Sequence, residues 1–139
     1  MSARRDKPTL KTSFQTGDIP TQTDFAAFID STLTPEIQNI SSSGGHVSVD
    51  ASTGDLFRVA LGENTIIDAP TNPVDGQAVT LWLQQDIAGN RTVNISALVL
   101  PSSATAPVFS TTGDAMDMLA MRYDAANSRW LIISFIKGY

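Results

Sequence analysis

The stretch HVSVDASTGDLFRVAL, residues 46–61, decides the fold of this chain. Polar residues at 46, 48 and 50 alternate with apolar residues at 47, 49 and 51, and a period of two resumes over residues 56–61 after a Ser-Thr-Gly turn. Such alternation is typical of strands with one face in a core. Similar short segments follow as far as residue 136, separated by turns rich in Gly, Pro, Asn and Asp. The sequence therefore predicts an all-β, antiparallel sandwich or jelly-roll-like module of seven or eight strands.

Two hairpins are predicted within this module. The first joins the strand around Val79–Leu83, which has Trp82 on its opposite face, to residues 93–99 through the turn at 86–90. The second joins residues 115–121 to residues 130–136. The last strand is apolar on both faces, with Trp130, Ile132 and Ile136 on one and Leu131, Ile133 and Phe135 on the other. One face of that strand needs a cover beyond the core, which favours a homo-oligomer.

The N-terminal segment differs from the module in charge. Residues 1–11 hold four of the nine Lys/Arg and one of the fourteen acids, so the arm is net +3 and the rest of the chain net −8. A basic arm on an acidic body indicates docking on an acidic protein surface. It argues against a nucleic-acid-binding domain, whose folded surface would carry the basic patch. The residues predicted to anchor the chain to a larger particle are Arg4, Arg5, Lys7, Lys11 and Phe14.

One short helix is predicted between the arm and the module. Thr21 is the candidate N-cap, Asp24 lies at the capping-box position, and Pro35 ends the helix. The apolar face consists of Phe25, Phe28, Ile29 and Leu33. Because about three turns are unstable alone in water, this face packs on its own module, on copies of itself or on a larger assembly. The predicted division is an anchoring arm and helix over residues 1–34 and a β-sandwich module over 35–139.

Residues from which active sites are built are scarce. Cysteine is absent and His46 is the single histidine. On one strand, Ser48 and Asp50 would stand about 6.6 and 13 Å from His46, too far for a hydrogen-bonded triad. Asp114 and Asp117 are interpreted as the solvent-exposed start of a strand. No nucleotide-binding or metalloprotease motif is present, and we expect no enzyme, no cofactor, no metal site and no membrane segment.

Two segments resemble proteins of tailed-bacteriophage virions. LKTSFQTGDIPTQTDFAAFIDS, residues 10–31, is similar to the arm-and-helix opening of many phage fibre and structural proteins. NTII at 64–67, PTNPVDGQ at 70–77, LQQD at 83–86 and GNRT at 89–92 resemble the small β-module of tail-fibre, head-fibre and capsid-decoration proteins, as do Ala106-Pro, Met118-Leu and the stretch from Tyr123-Asp to Trp130. The loops at 98–105 and 124–129 depart from that pattern, so recognition by loops is not carried over.

The resemblance implies a non-enzymatic homotrimer of the virion whose N-terminal part attaches to the particle. We expect a capsid decoration or cement protein that binds the major capsid protein. The alternative is a tail-fibre, baseplate or adaptor protein that binds host surface glycan. Trp82 covers a buried strand, lies in a subunit interface or forms a sugar platform. The residues predicted to form the oligomer interface are Phe25, Phe28, Ile29, Leu33, Trp82, Leu131, Ile133 and Phe135.

Overall fold

The computed structural model describes residues 17, 19, 21–26, 36–96, 99–101 (backbone only) and 106–138. Within them the chain is mostly β, with a helical turn at residues 22–26 and a 3-10 turn at Ala125–Asn127. The strands are β1 (Ile37–Ser41), β2 (His46–Val47), β3 (Leu56–Leu61), β4 (Thr65–Ile67), β5 (Ala78–Gln85), β6 (Val93–Ile95), β7 (Val99–Pro101), β8 (Met116–Asp124) and β9 (Arg129–Ile136).

The strands form two sheets between which the chain alternates. The six-stranded sheet has the order β1-β3-β5-β8-β9-β7, and the three-stranded sheet has the order β2-β4-β6. Pairing is parallel along β1, β3 and β5 and along β2, β4 and β6. Each pass through both sheets is thus one coil of a parallel stack of three. The predicted antiparallel sandwich is wrong for this half of the module, although the sheets do enclose a shared core.

The predicted hairpin between residues 79–83 and 93–99 is also wrong. β5 pairs with β3 and β8, whereas β6 pairs with β4 in the other sheet. The buried Gln85 side chain holds the segment that leads from β5 to β6. Its Nε2 donates to the Arg91 and Ser110 carbonyls at 2.7 and 2.9 Å, and its Oε1 accepts from the Arg91 backbone amide at 3.0 Å. These bonds direct the chain away from β5 at the point where a hairpin would have returned along it.

The second predicted hairpin is confirmed, but a bulge changes its faces. β8 and β9 pair antiparallel, with Ala120 opposite Ser134 and Met121 opposite Ile132, so Ile133 is an extra residue. An extra residue shifts the two-residue alternation by one position. Phe135 therefore lies on the core face opposite Leu119, and Ile136 lies on the other face. The predicted faces of Phe135 and Ile136 were interchanged.

The core lies between the two sheets and follows the alternation predicted from the sequence. Residues 47, 49 and 51, residues 57, 59 and 61, and residues 79, 81 and 83 are all buried. Trp130 crosses this core, is 1% exposed, and donates from Nε1 to the Pro70 carbonyl at 3.1 Å. Most of the burial comes from the six-stranded sheet, with Val47, Val49 and Ile67 contributed by the smaller sheet or its continuation.

A tight turn takes the chain from the first sheet to the second. Ser43 and His46 exchange backbone hydrogen bonds of 2.9 and 3.1 Å around Gly44 and Gly45, whose φ angles are 60° and 78°. Positive φ at both central positions is the geometry that glycine adopts without steric cost. The chain therefore turns from the six-stranded sheet into the three-stranded sheet at residues 43–46.

Candidate functional site

The face of the six-stranded sheet that points away from the core, called the outer face, carries much apolar surface. Trp82, Met118 and Ile136 stand in one cross-strand row. Ile133 and Ile136 are 54% and 49% exposed. Trp82, Leu131 and Ile133 of the predicted interface lie on this face, whereas Phe135 packs edge-on against Phe109 at 5.0 Å between ring centroids. The outer face thus gathers three of the predicted interface residues.

Arg58 and Trp82 form the most distinctive pair on the outer face. They are register partners on β3 and β5, and the Arg58 guanidinium carbon lies 5.2 Å from the Trp82 ring centroid. A cation over an indole contributes about 0.5–1 kcal/mol at exposed sites. Arg58 Nε and Trp82 Nε1 are buried and have no hydrogen-bond partner. Among the described residues, Arg58 therefore has an aromatic partner and no carboxylate partner.

The outer face is basic although the module is acidic. Arg58, Arg122 and Arg129 lie on it, and they are three of the five Lys/Arg that follow residue 11. Asp124 is the single acid among its described residues and is engaged by Arg129 at 3.5 Å. Hydrogen bonding from the Asn127 amide, with a smaller effect of Arg129, lowers the pKa of Asp124. This face combines apolar side chains with a positive charge.

The outer surface of the three-stranded sheet is polar apart from Ile66, which is 39% exposed, and it contains a carboxylate-centred cluster. His46 Nδ1 lies 3.0 Å from Asp68 Oδ1, and Ser48 Oγ donates to Asp68 Oδ2 at 2.7 Å. The Ser48 hydroxyl, and to a smaller extent His46, lower the pKa of Asp68 despite some desolvation. Asp50, the third member of the predicted polar row, binds Ser52 and Asn72 instead. Sequence reasoning missed Asp68 because parallel pairing of β2 and β4 was not foreseen.

The order of groups in this cluster differs from that of a nucleophilic triad. In a triad the imidazole lies between hydroxyl and carboxylate and takes the hydroxyl proton. Here Asp68 lies in the middle, so Ser48 donates to a carboxylate and not to His46. The arrangement fixes side chains across β2 and β4 and does not place His46 as a base toward Ser48.

The structure corrects the prediction for Asp117. Its carboxylate is 3% exposed and accepts hydrogen bonds from Ser110 N and Oγ, both at 2.7 Å, and from Gly138 N at 2.8 Å. Asp114, by contrast, is exposed and has a positive φ of 59°. Asp117 is therefore not a solvent-exposed strand residue. Three donors offset its burial and tie residues 110 and 138 to β8.

An acidic group, called the acidic end, lies on the turns that precede β3 and β5. It consists of Asp50, Asp55 and Asp75. Gln77 Nε2 holds these turns together by donating to the Ala51 carbonyl at 2.7 Å and to Asp55 Oδ1 at 2.8 Å. Asp75 Oδ1 accepts from the Ala125 amide at 3.1 Å, which attaches the turn after β8. Asp55 and Asp75 are both exposed.

An open pocket lies where β1 and β3 end, opposite the acidic end. Its volume is about 410 Å³. Glu63 is its one acidic lining residue, and Glu63 Oε1 accepts from the Gly45 amide at 3.0 Å. Glycosidases need two carboxylates across the scissile bond. The described lining therefore lacks the second carboxylate of such a site. The lining residues are Ser41, Ser42, Ser43, Gly44, Ala60, Gly62 and Glu63.

The start of the predicted helix is confirmed. Thr21 Oγ1 accepts from the Asp24 amide at 3.2 Å, and Asp24 Oδ2 accepts from the Thr21 amide at 2.9 Å, which is a reciprocal capping box. Phe25 is 52% exposed. The other predicted helix-face residues, Phe28, Ile29 and Leu33, and the predicted anchoring residues, Arg4, Arg5, Lys7, Lys11 and Phe14, lie outside the described residues.

Two further observations concern the described part of the chain. It contains no group of three or more His, Asp or Glu side chains able to hold a metal ion. None of its helical segments is long and apolar enough to cross a bilayer.

A scan against models of protein families and a search of curated proteins found no match for this chain.

Proposed function

We propose that this chain is a non-enzymatic structural protein of a tailed-phage virion, a trimer that decorates the capsid shell and is anchored by its N-terminal arm. The observation that carries the proposal is the outer face, where Ile133 and Ile136 are about half-exposed beside the partly buried Trp82, on a domain whose described residues already enclose a core. Exposed apolar patches on soluble domains mark sites of association.

The dimensions of the outer face suit a subunit contact. Six strands spaced about 4.8 Å apart span about 29 Å, and a strand of eight residues such as β5 spans about 26 Å, which gives a face of at most about 750 Å². Stable interfaces bury about 800 Å² per partner. The outer face with a short contribution from the helix would reach that size.

The arm supports attachment to a particle. Its charge of +3 suits an acidic protein surface, and the capping box at Thr21 and Asp24 matches the helix start in the phage-like segment at residues 10–31. The described residues of the β-module pack around a single core cluster. A module of this kind suits an ornament on a shell better than the shaft of a fibre, so we place the protein on the capsid as decoration or cement.

Deletion of residues 1–22 tests the anchor. The truncated chain should remain a soluble β-rich oligomer, by circular dichroism and light scattering, and should no longer bind particles assembled without this protein in a co-sedimentation assay. The full chain is the matched control. Decoration of particles by the truncated chain would contradict the anchor.

One observation favours a second candidate function. Trp82 lies partly buried on the outer face with the Arg58 guanidinium over its ring, and an indole beside a hydrogen-bond donor suits the sugar contact of a tail-fibre, baseplate or adaptor protein that binds host surface glycan. This candidate replaces the first if Trp82→Ala abolishes host-cell binding and leaves the oligomer intact.

A further inference from the structure

The outer face cannot meet a copy of itself without bringing arginines together. It carries Arg58, Arg122 and Arg129, and its one described acid, Asp124, is already paired with Arg129. Like charges placed opposite each other across an interface cost several kcal/mol. A self-complementary contact of two outer faces would leave Arg58 and Arg122 without carboxylate partners.

A cyclic trimer has a different requirement. Each of its contacts is heterologous, so the surface that meets the outer face must be another surface of the neighbouring copy. For the arginines to be paired, that surface must carry exposed carboxylates. The same chain supplies such a surface at the acidic end, where Asp55 and Asp75 are exposed and Asp50 lies beside them.

The positions of the two surfaces allow a closed ring. Side chains of the outer face stand roughly perpendicular to the strands, whereas the acidic end lies at the ends of β3 and β5, in the direction of the strands. Because the two contact surfaces are inclined to each other, each copy is rotated relative to the copy that it binds. Heterologous contacts of this kind form a closed ring when the rotations add up to a full turn. Surfaces on opposite sides of the sandwich would instead give an open stack.

We infer that in the trimer the outer face of one copy binds the acidic end of the next, with Arg58 and Arg122 opposite Asp55 and Asp75. The inference rests on the proposed trimer and names the surfaces that form it. Ile133 and Ile136 supply exposed apolar contact beside the charged pairs, and Trp82 supports the Arg58 guanidinium. The contact is sensitive to salt, because 1 M salt reduces the Debye length to about 3 Å.

A charge-swap experiment tests the pairing. Arg58→Glu with Arg122→Glu should convert trimer to monomer at micromolar concentration, measured by light scattering, with at least a tenfold increase in the dissociation constant. Asp55→Lys with Asp75→Lys should do the same. Combination of all four substitutions restores opposite charges across the contact and should restore the trimer.

Controls separate association from folding. Lys137→Glu reverses an exposed charge outside β9 and should leave the trimer intact. Asp55→Asn with Asp75→Asn keeps hydrogen-bond acceptors for Gln77 and Ala125, so it weakens association without loss of those bonds. Thermal melts confirm that every variant is folded.

The outcomes distinguish the proposed trimer from the proposed pairing of its surfaces. A monomeric or dimeric wild-type chain contradicts the proposed trimer. A trimeric wild-type chain whose mass is unchanged by Arg58→Glu with Arg122→Glu contradicts the inference alone. Folded double variants that dissociate and a folded fourfold variant that does not reassociate would also overturn the pairing.

Discussion

At the scale of residues, carboxylates in this chain are held by hydrogen-bond donors that lie 5 to 22 residues away in sequence. Asp68 binds Ser48 and His46 across β2 and β4, Asp117 binds Ser110 and Gly138, and Asp86 accepts two hydrogen bonds from Arg91 at 3.0 and 2.7 Å. The Arg91 side chain is the main cause of the lowered pKa of Asp86. These carboxylates fasten turns and strand ends, as expected where backbone groups need partners.

Ser48→Ala should raise the pKa of Asp68 toward its ordinary value of 3.8, because the Ser48 hydroxyl is the largest cause of the lowered pKa. The shift can be measured by NMR titration of the Asp68 carboxyl carbon. Ser52→Ala is the matched control, since Ser52 binds Asp50 and not Asp68. An Asp68 pKa that is equal in wild type and Ser48→Ala would contradict this assignment.

The sign of the accompanying change in stability follows from linkage. A folded-state pKa below the unfolded value of 3.8 adds stability above pH 3.8, and this contribution is lost as the pH falls through the lowered pKa. When the pH is lowered from 5 to the acid limit of the titration, the free energy of unfolding of the Ser48→Ala variant should therefore fall by less than that of wild type.

At the scale of elements, β9 shows how one residue changes a face. The alternation through Trp130 and Ile132 continues correctly as far as the bulge at Ile133. Beyond it, Phe135 takes the core position opposite Leu119 that an unbroken strand would have given to Ser134, and Ile136 moves from the core face to the outer face. An apolar strand such as RWLIISFI carries no contrast between its faces, so periodicity alone could not locate the bulge.

Phe135→Ala should lower the free energy of unfolding by about 2 kcal/mol, less than for a fully buried Phe because Phe135 is half-buried. Ile136→Ala, on the outer face, should lower it by less than about 1 kcal/mol. Urea denaturation of both variants, at a concentration where wild type is monomeric, provides the comparison. Equal effects, or a larger effect at Ile136, would contradict the bulge.

At the scale of the whole molecule, two sheets share one core while the outer face carries surface that the core does not use. This separation means that association can be altered without loss of folding. Arg58 and Trp82 lie on that face, outside the core cluster formed by residues such as Leu81 and Leu119.

Trp82→Ser with Ile133→Ser should weaken self-association at least tenfold, measured by sedimentation equilibrium, because both side chains add apolar area to the proposed contact. The monomer should remain folded, with a lower free energy of unfolding because the partly buried Trp82 ring and its contact with Arg58 are lost. Ile87→Ser is the matched control, since Ile87 is 85% exposed in a turn away from the outer face. Unchanged association of the double variant would exclude the outer face as the contact.

The sequence by itself determined the buried positions of the strands that precede the bulge in β9, apart from Asp117, and where the helix begins. Alternation placed the residues around Val47, Val59 and Leu81 correctly, and the Thr21 capping box was readable because helix capping depends on residues three apart. Apart from the hairpin of β8 and β9, the topology was decided only in the tertiary structure. Ile37, Leu56 and Thr80 stack in one register although they are 19 and 24 residues apart, so unequal coils left no repeat to detect. Side-chain period is local, whereas strand pairing is set by which edges the shared core brings together.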